Sequence, residues 1–256
     1  LLLTADIGNT TIVLGVFDDA GTVRASARIG TRRDATADEL GMSVAHLCRR
    51  LPGAESSLAR TILCSVVPSL TDTFSKYARR ELGHEPTIVS AEIDLGIPVA
   101  VDDAREVGAD RIVNAIAARD LVGHPAIVVD LGTATNFDVL DGQGRYIGGV
   151  IAPGVETASE DLFRRAARLT KVDLSFPDRV IGRNTRDCLR SGILYGAVGM
   201  IDALVTEIRR ELDVDAPAIA TGGLAALVGP RCRTVNRVEP ELTLTGLLSV
   251  DRFLRS

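Results

Sequence analysis

Lysine is nearly missing from this chain: Lys76 and Lys171 stand against 27 arginines. Neither follows a glycine-rich loop, and GxxxxGK[ST] occurs nowhere. The P-loop and protein-kinase ways of holding a nucleotide's phosphates both use a placed lysine, so this pattern argues against both. Tryptophan is absent and aromatics make up only 4% of the residues, so no strand offers a platform on which bases could stack. With a net charge of −5 and no basic run, nucleic acid is not the expected partner. The four cysteines, Cys48, Cys64, Cys188 and Cys232, form no CxxC pair and read as buried free thiols in a reducing cytosol. His46, His84 and His124 have no ligand partner at helical spacing, which argues against a histidine metal site. The apolar runs are strand-sized, so no bilayer-spanning segment is expected. No basic stretch precedes the first strand, so no signal peptide is expected and the location is read as cytoplasmic.

What the chain does contain is one strand–turn–strand pattern written twice. The first copy reads Leu2-Leu3-Thr4-Ala5-Asp6-Ile7-Gly8-Asn9-Thr10-Thr11, followed by Ile12 to Asp18. The second reads Ala126-Ile127-Val128-Val129-Asp130-Leu131-Gly132-Thr133-Ala134-Thr135, followed by Asn136 to Asp141. The carboxylates Asp6 and Asp130 are 124 residues apart, whereas the next turns, at Asp18 and Asp141, are 123 apart. A repeat this long within 256 residues implies two similar lobes. Each offers a carboxylate and a polar turn to a shared cleft, a layout suited to phosphoryl transfer without a P-loop.

Each half opens with a meander of strands and continues with alternating helix and strand, which predicts two α/β lobes, residues 1–117 and 118–256. Helical spacing is read over Asp38–Arg50, Leu70–Leu82, Ala109–Leu121, Val155–Leu169, Arg186–Leu212 and Thr243–Leu254. Inside Arg186–Leu212, the spacing of Gly192, Gly196 and Gly199 predicts a face where another backbone comes close.

The chemistry-bearing residues lie at the edges of these elements. Ligands of open α/β lobes bind at strand ends, where Asp6 and Asp130 sit. Mg²⁺ takes one or two carboxylates together with phosphate oxygens and water, which suits such a pair. One Asp-x-Gly unit by itself reads as a hairpin turn; two in matched context point to a site. Asn9, Thr10, Thr11, Thr133 and Thr135 add hydroxyls, an amide and backbone N–H groups for phosphate. Gly108-Ala109-Asp110-Arg111 opens the third helix. Asp110 there either stabilises the helix N-terminus or acts as a base toward an attacking hydroxyl, with Arg111 clamping an anionic substrate. Thr221-Gly222-Gly223 is either a plain strand-to-helix turn or a surface on which adenine lies flat. Asn184 or Thr185 caps the helix that follows.

In order along the chain, Asp6–Thr10, Glu106–Asn114, Asp130–Thr135, Gly148–Gly154, Gly182–Thr185 and Thr221–Ala225 resemble the motifs of the type III pantothenate kinases. These are bacterial enzymes of the acetate-kinase/sugar-kinase/Hsp70/actin superfamily, and the likeness runs the whole chain. It implies ribonuclease H-like (actin-like ATPase) lobes with mixed sheets, flanking helices and a nucleotide cleft between them. It also implies transfer of the γ-phosphoryl of ATP to pantothenate, the first step toward coenzyme A. By the resemblance Asp6, Ile7, Gly8, Asn9, Thr10, Thr11, Ile12 and Val13 form the first phosphate loop, with Asp6 near Mg²⁺ or another divalent cation. Thr133 belongs to the second loop, Asp130 binds K⁺ or NH₄⁺, and Gly222 and Gly223 lie against adenosine. Gly108, Ala109, Asp110, Arg111 and Thr185 would contact pantothenate, with Asp110 as proton acceptor, and the family is a homodimer. Val101 stands where members often carry Tyr, and Asn136 where Thr is more usual. The alternative is a non-catalytic regulator of the same fold.

Overall fold

The structure, a computed structural model, describes residues 1–51, 58–90, 93–166 and 169–256. The chain divides into two compact units, Leu1–Ala117 with Thr243–Ser256, and Ala118–Leu242.

In the first unit β1 (Leu2–Ile7), β2 (Thr11–Phe17) and β3 (Val23–Gly30) form the antiparallel meander. β4 (Arg60–Ser65) and β5 (Thr87–Ile88) add in parallel beside β1, giving the order β3-β2-β1-β4-β5. Helix α1 (Ala37–Cys48) starts at a reciprocal cap: Glu39 N–H donates to the Thr36 hydroxyl, and Thr36 N–H donates to the Glu39 carboxylate. Its Leu40, Val44 and Leu47 recur at helical spacing and join Leu3, Ala5, Ile7 and Leu63 in one core. Helix α2 (Pro68–Tyr77) begins with proline where the missing N–H costs nothing, and α3 spans Ala109–Val122.

The second unit repeats this order. β6 (Ala126–Leu131), β7 (Ala134–Leu140), β8 (Tyr146–Pro153), β9 (Ala218–Thr221) and β10 (Arg237–Val238) lie as β10-β9-β6-β7-β8. Helices α4 (Val155–Arg165), α5 (Thr185–Leu212) and α6 (Ala225–Val228) belong with them. β1 and β6 have the same burial pattern position by position, and in each the only partly exposed residue is the fifth, Asp6 or Asp130. Both meanders slip register at matching places, Val16/Phe17 and Val139/Leu140. Four residues separate the paired Ile7 and Ile12, but three separate Leu131 and Thr135. That one-residue difference is why the carboxylates and the following turns are spaced unequally in the sequence.

Three expectations need correction. The division at residue 117/118 puts the terminal helix α7 (Leu242–Phe253) in the second half, but nearly all of it groups with the first unit. Thr243 donates to the buried Asn114 side chain at 2.8 Å, and Asp251 pairs with Arg60 on β4 at 3.5 Å. These are contacts between residues far apart in sequence, which periodicity does not register. Among the cysteines only Cys48, Cys64 and Cys232 are buried; Cys188, in the first turn of α5, is exposed. Finally, α5, at 28 residues, is long and apolar enough to cross a membrane by length and composition. Its Leu194, Ala197, Ile201 and Val205 pack into the second unit's core. Asp202, at mid-helix, accepts from Thr234 N–H at 2.9 Å and from the Thr234 hydroxyl at 2.8 Å. One stripe of the apolar run therefore packs into this core while much of the helix surface stays uncovered, and its glycines dilute the apolar pattern.

Candidate functional site

Asp6 lies opposite Val13 on β2 and opposite Cys64 on β4. The Cys64 thiol is buried and donates to Asp6 Oδ1 across 3.5 Å. Burial, and then the negative charges of Asp6 and Asp110, push this thiol well above its ordinary pKa, so it stays protonated. Two carboxylates thus bear on one neutral thiol, and the structure brings together Asp6 and Asp110, which are distant in sequence. After Asp6 the chain turns sharply, with Gly8 N–H donating to Thr11 O at 3.0 Å. Asn9 and Thr10 are exposed at the tip. The side chains of Ile7 and Ile12 point into the core, so those residues can offer a ligand only their backbone.

Asp110 sits in the first turn of α3. A Cβ added to Gly108 would collide with Asp110 Oδ1, so the bare glycine leaves the space that the carboxyl occupies. The residue is only partly covered, but burial of its carboxyl raises the pKa. The Arg111 backbone N–H and the Arg111 charge oppose that shift without cancelling it. The Arg111 N–H also donates to Gly108 O at 3.1 Å, which starts the helix.

In the second unit Asp130 lies opposite Asn136 and Thr221. Thr221 is therefore the counterpart of Cys64, and the turn after it the counterpart of Ser65 to Pro68. Gly222 has φ +93°, and a Cβ there would come within 2.5 Å of Asp130 Oδ1 and 2.7 Å of the Leu131 carbonyl. Only glycine fits both the backbone angle and the space. The turn at Gly132 and Thr133 rests on the start of α4: Thr157 donates to Thr133 O at 2.8 Å, and a Cβ on Gly154 would overlap the Gly132 and Thr133 carbonyls. Thr133 and Gly223 are exposed. Thr185 begins α5 behind Asn184, which accepts the Asp187 N–H at 2.9 Å as the cap. Sequence reasoning passed over Cys64. Its signal was there: it follows the apolar pair Ile62-Leu63 and precedes Pro68, at the strand end beside the first carboxylate.

The sequence profile described as "Type III pantothenate kinase" matches residues 2–207. The chain belongs to the type III pantothenate kinase family. Proteins of that name from Thermomicrobium roseum and Moorella thermoacetica are 48% and 44% identical to it. The first alignment covers 100% of this chain and 99% of the relative, the second 96% and 97%. Both relatives match at nearly full length. Among solved structures, Acidaminococcus fermentans (R)-2-hydroxyglutaryl-CoA dehydratase component A aligns with a TM-score of 0.57 at 13% identity, covering 98% of this chain and 96% of that one. A ROK family glucokinase from Streptomyces griseus, in complex with glucose and AMPPNP, aligns with a TM-score of 0.53 at 13% identity over 99% and 100%. At that identity the likeness concerns the fold alone, the mixed α/β lobes of actin-like ATPases and ROK sugar kinases.

For this pantothenate kinase family member two outcomes follow from the Asp110 geometry. Gly108→Ala meets only the end of a side chain, so the variant is expected to fold, with a melting temperature within a few degrees of the parent. Its displaced carboxyl should lower kcat by at least tenfold in a pantothenate-dependent ATPase assay. Asp110 holds its proton more tightly folded than unfolded, so its ionisation costs stability as pH rises from the usual 3.8 through the folded pKa. Asp110→Asn should therefore melt higher than the parent at pH 7, with the gap narrowing as pH falls toward 3.8. Calorimetric melts across that range check the sign; an Asn variant that melts lower at pH 7 contradicts it.

Proposed function

We propose that this chain transfers the γ-phosphoryl group of ATP to the primary hydroxyl of pantothenate, giving 4'-phosphopantothenate and ADP, the first committed chemistry toward coenzyme A. The observation that carries the assignment of roles is the Asp110 carboxyl, seated over Gly108 with its pKa raised by burial. A raised pKa makes a carboxylate a better acceptor for the hydroxyl proton. In the transfer the hydroxyl oxygen bonds to the γ-phosphorus, the bond from that phosphorus to the β–γ bridging oxygen breaks, and the proton goes to Asp110. Phosphoryl transfer asks mainly for positioning and charge neutralisation, so a base of this strength is sufficient.

In this reading Gly108, Ala109, Arg111 and Thr185 hold pantothenate, with Arg111 pairing its carboxylate. The turn Asp6–Val13 and Thr133 hold the phosphates, and Gly222 and Gly223 lie against adenosine. Among the described residues no group of three or more His, Cys, Asp or Glu could enclose a metal ion. Mg²⁺ does not need such a cage, because substrate phosphates and water complete its shell. Asp6, partly exposed beside an open polar turn, fits that partial ligation. Asp130, whose Oδ1 lies close to the Gly222 backbone, fits a monovalent cation, K⁺ or NH₄⁺. When bound, the cations neutralise phosphate charge.

A homodimer is part of the same proposal. Along α4 and α5, Val155, Ala158, Leu162, Ile193, Gly196 and Met200 line an open groove of about 400 Å³. Among the described residues, and setting aside the helix's own adjacent backbone, nothing comes within 4 Å of a Cβ placed on Gly192, Gly196 or Gly199. The close backbone that their spacing predicts is thus not supplied by the described residues, and we assign it to a second copy.

An ATPase assay coupled to ADP release, with and without pantothenate in K⁺ buffer, tests the reaction. Pantothenate should stimulate turnover by at least tenfold, and Asp110→Asn should abolish the stimulation. Replacing K⁺ by Na⁺ should cut kcat severalfold; a rate indifferent to the cation would remove the role given to Asp130. For the dimer, Gly196→Leu should weaken association at least tenfold by sedimentation, and unchanged association would place the interface elsewhere.

A further inference from the structure

Beyond Gly30 the chain continues as Thr31-Arg32-Arg33-Asp34 alongside the first turn. Thr31 N–H donates to Thr10 O at 2.9 Å, and the Thr31 hydroxyl donates to Gly8 O at 2.7 Å. From α2, the Ser69 hydroxyl donates to the Arg33 carbonyl at 3.4 Å. The Arg33 backbone is held through these contacts, and its side chain turns back to donate from Nη2 to Asn9 Oδ1 at 3.0 Å. Both Arg33 and Asn9 are exposed, so the guanidinium stands on the open side of the turn.

The neighbouring arginine is placed differently. Arg32 pairs with Asp34 at 3.7 Å and with Glu39 Oε1 at 3.0 Å, so carboxylates meet its charge. Arg33 leans on a neutral amide, and among the described residues it has no carboxylate within ion-pair distance. A guanidinium has five donors in a planar fork that matches phosphate oxygens, and the Asn9 contact occupies one donor. The amide therefore orients the group without neutralising it.

We propose that Arg33 contacts the β- and γ-phosphates of ATP, bringing to the first turn the positive charge that P-loop enzymes take from lysine. The proposal rests on the reading of Asp6–Val13 as a phosphate loop. It explains how a chain with two lysines, Lys76 and Lys171, neutralises a triphosphate from this side.

Calorimetric titration of ADPNP, ADP and AMP in Mg²⁺/K⁺ buffer tests it on Arg33→Gln, Arg33→Lys and, as a control of equal net charge, Arg32→Gln. Arg33→Gln should bind ADPNP at least tenfold more weakly than the parent, ADP with a smaller loss, and AMP within twofold. Arg33→Lys should recover part of the loss, and Arg32→Gln should stay within twofold for all three. Melting temperatures within a few degrees of the parent keep the comparison among folded proteins. ADPNP affinity within twofold in Arg33→Gln, an equal loss for AMP, or an equal loss in Arg32→Gln would each overturn the proposal. A parent protein that binds ADPNP but leaves pantothenate unphosphorylated defeats the substrate reading alone, and the ADPNP ratio still decides Arg33. A parent that binds no ADPNP defeats both.

Discussion

Each unit is organised around a carboxylate placed at the fifth position of an otherwise buried central strand. An ionised group cannot be buried there without partners, so the strand must end almost at once and the chain must open toward solvent. Asp6 and Asp130 meet that requirement in the same way, with one more buried residue, Ile7 or Leu131, anchoring the strand before the turn. The meander, the parallel strand that follows and the strand-to-helix turn beside the carboxylate all take their places from this arrangement.

The two copies then diverge in what faces the carboxylate. In the first unit a buried thiol, Cys64, donates to Asp6 and feels the charges of both Asp6 and Asp110 while staying neutral itself. Were it ionised, three negative charges would be gathered at one strand end, and burial prevents that. In the second unit the matching strand position is Thr221, and the Gly222 backbone itself comes up to Asp130. One carboxylate is left next to another acid and an open polar loop; the other lies against the Gly222 backbone. The repeat therefore gives its two carboxylates different surroundings from one plan.

Several decisive features are absences of a side chain. Gly108 leaves space for the Asp110 carboxyl, Gly154 lets α4 start directly beneath the second turn, and Gly222 permits contact with Asp130. In each case the glycine serves a neighbour, and that neighbour is 2, 21 to 22, or 91 to 92 residues away in the chain. The first of these is readable from a short motif. The last is not, because nothing local relates a turn at Gly222 to a strand ending at Asp130.

The sequence by itself determined the two α/β halves, the paired aspartates, the helix start at Asp110 and the family. The first three are carried by local periodicity, by turn residues and by a repeat of matching context, all of which are properties of short segments; the family is carried by the resemblance of an ordered series of motifs. Tertiary structure alone decided that α7 belongs with the first unit, through Asn114 and Arg60, and that one stripe of α5 packs into the second unit's core with Asp202 bonded to Thr234. It also decided that Asp6 and Asp110 bear on Cys64, and that Arg33, rather than its neighbour Arg32, reaches the first turn. Hydrogen bonds and desolvation act over a few ångströms in space and are blind to distance along the chain. Which residues share a pocket is therefore settled only when the sheets have formed.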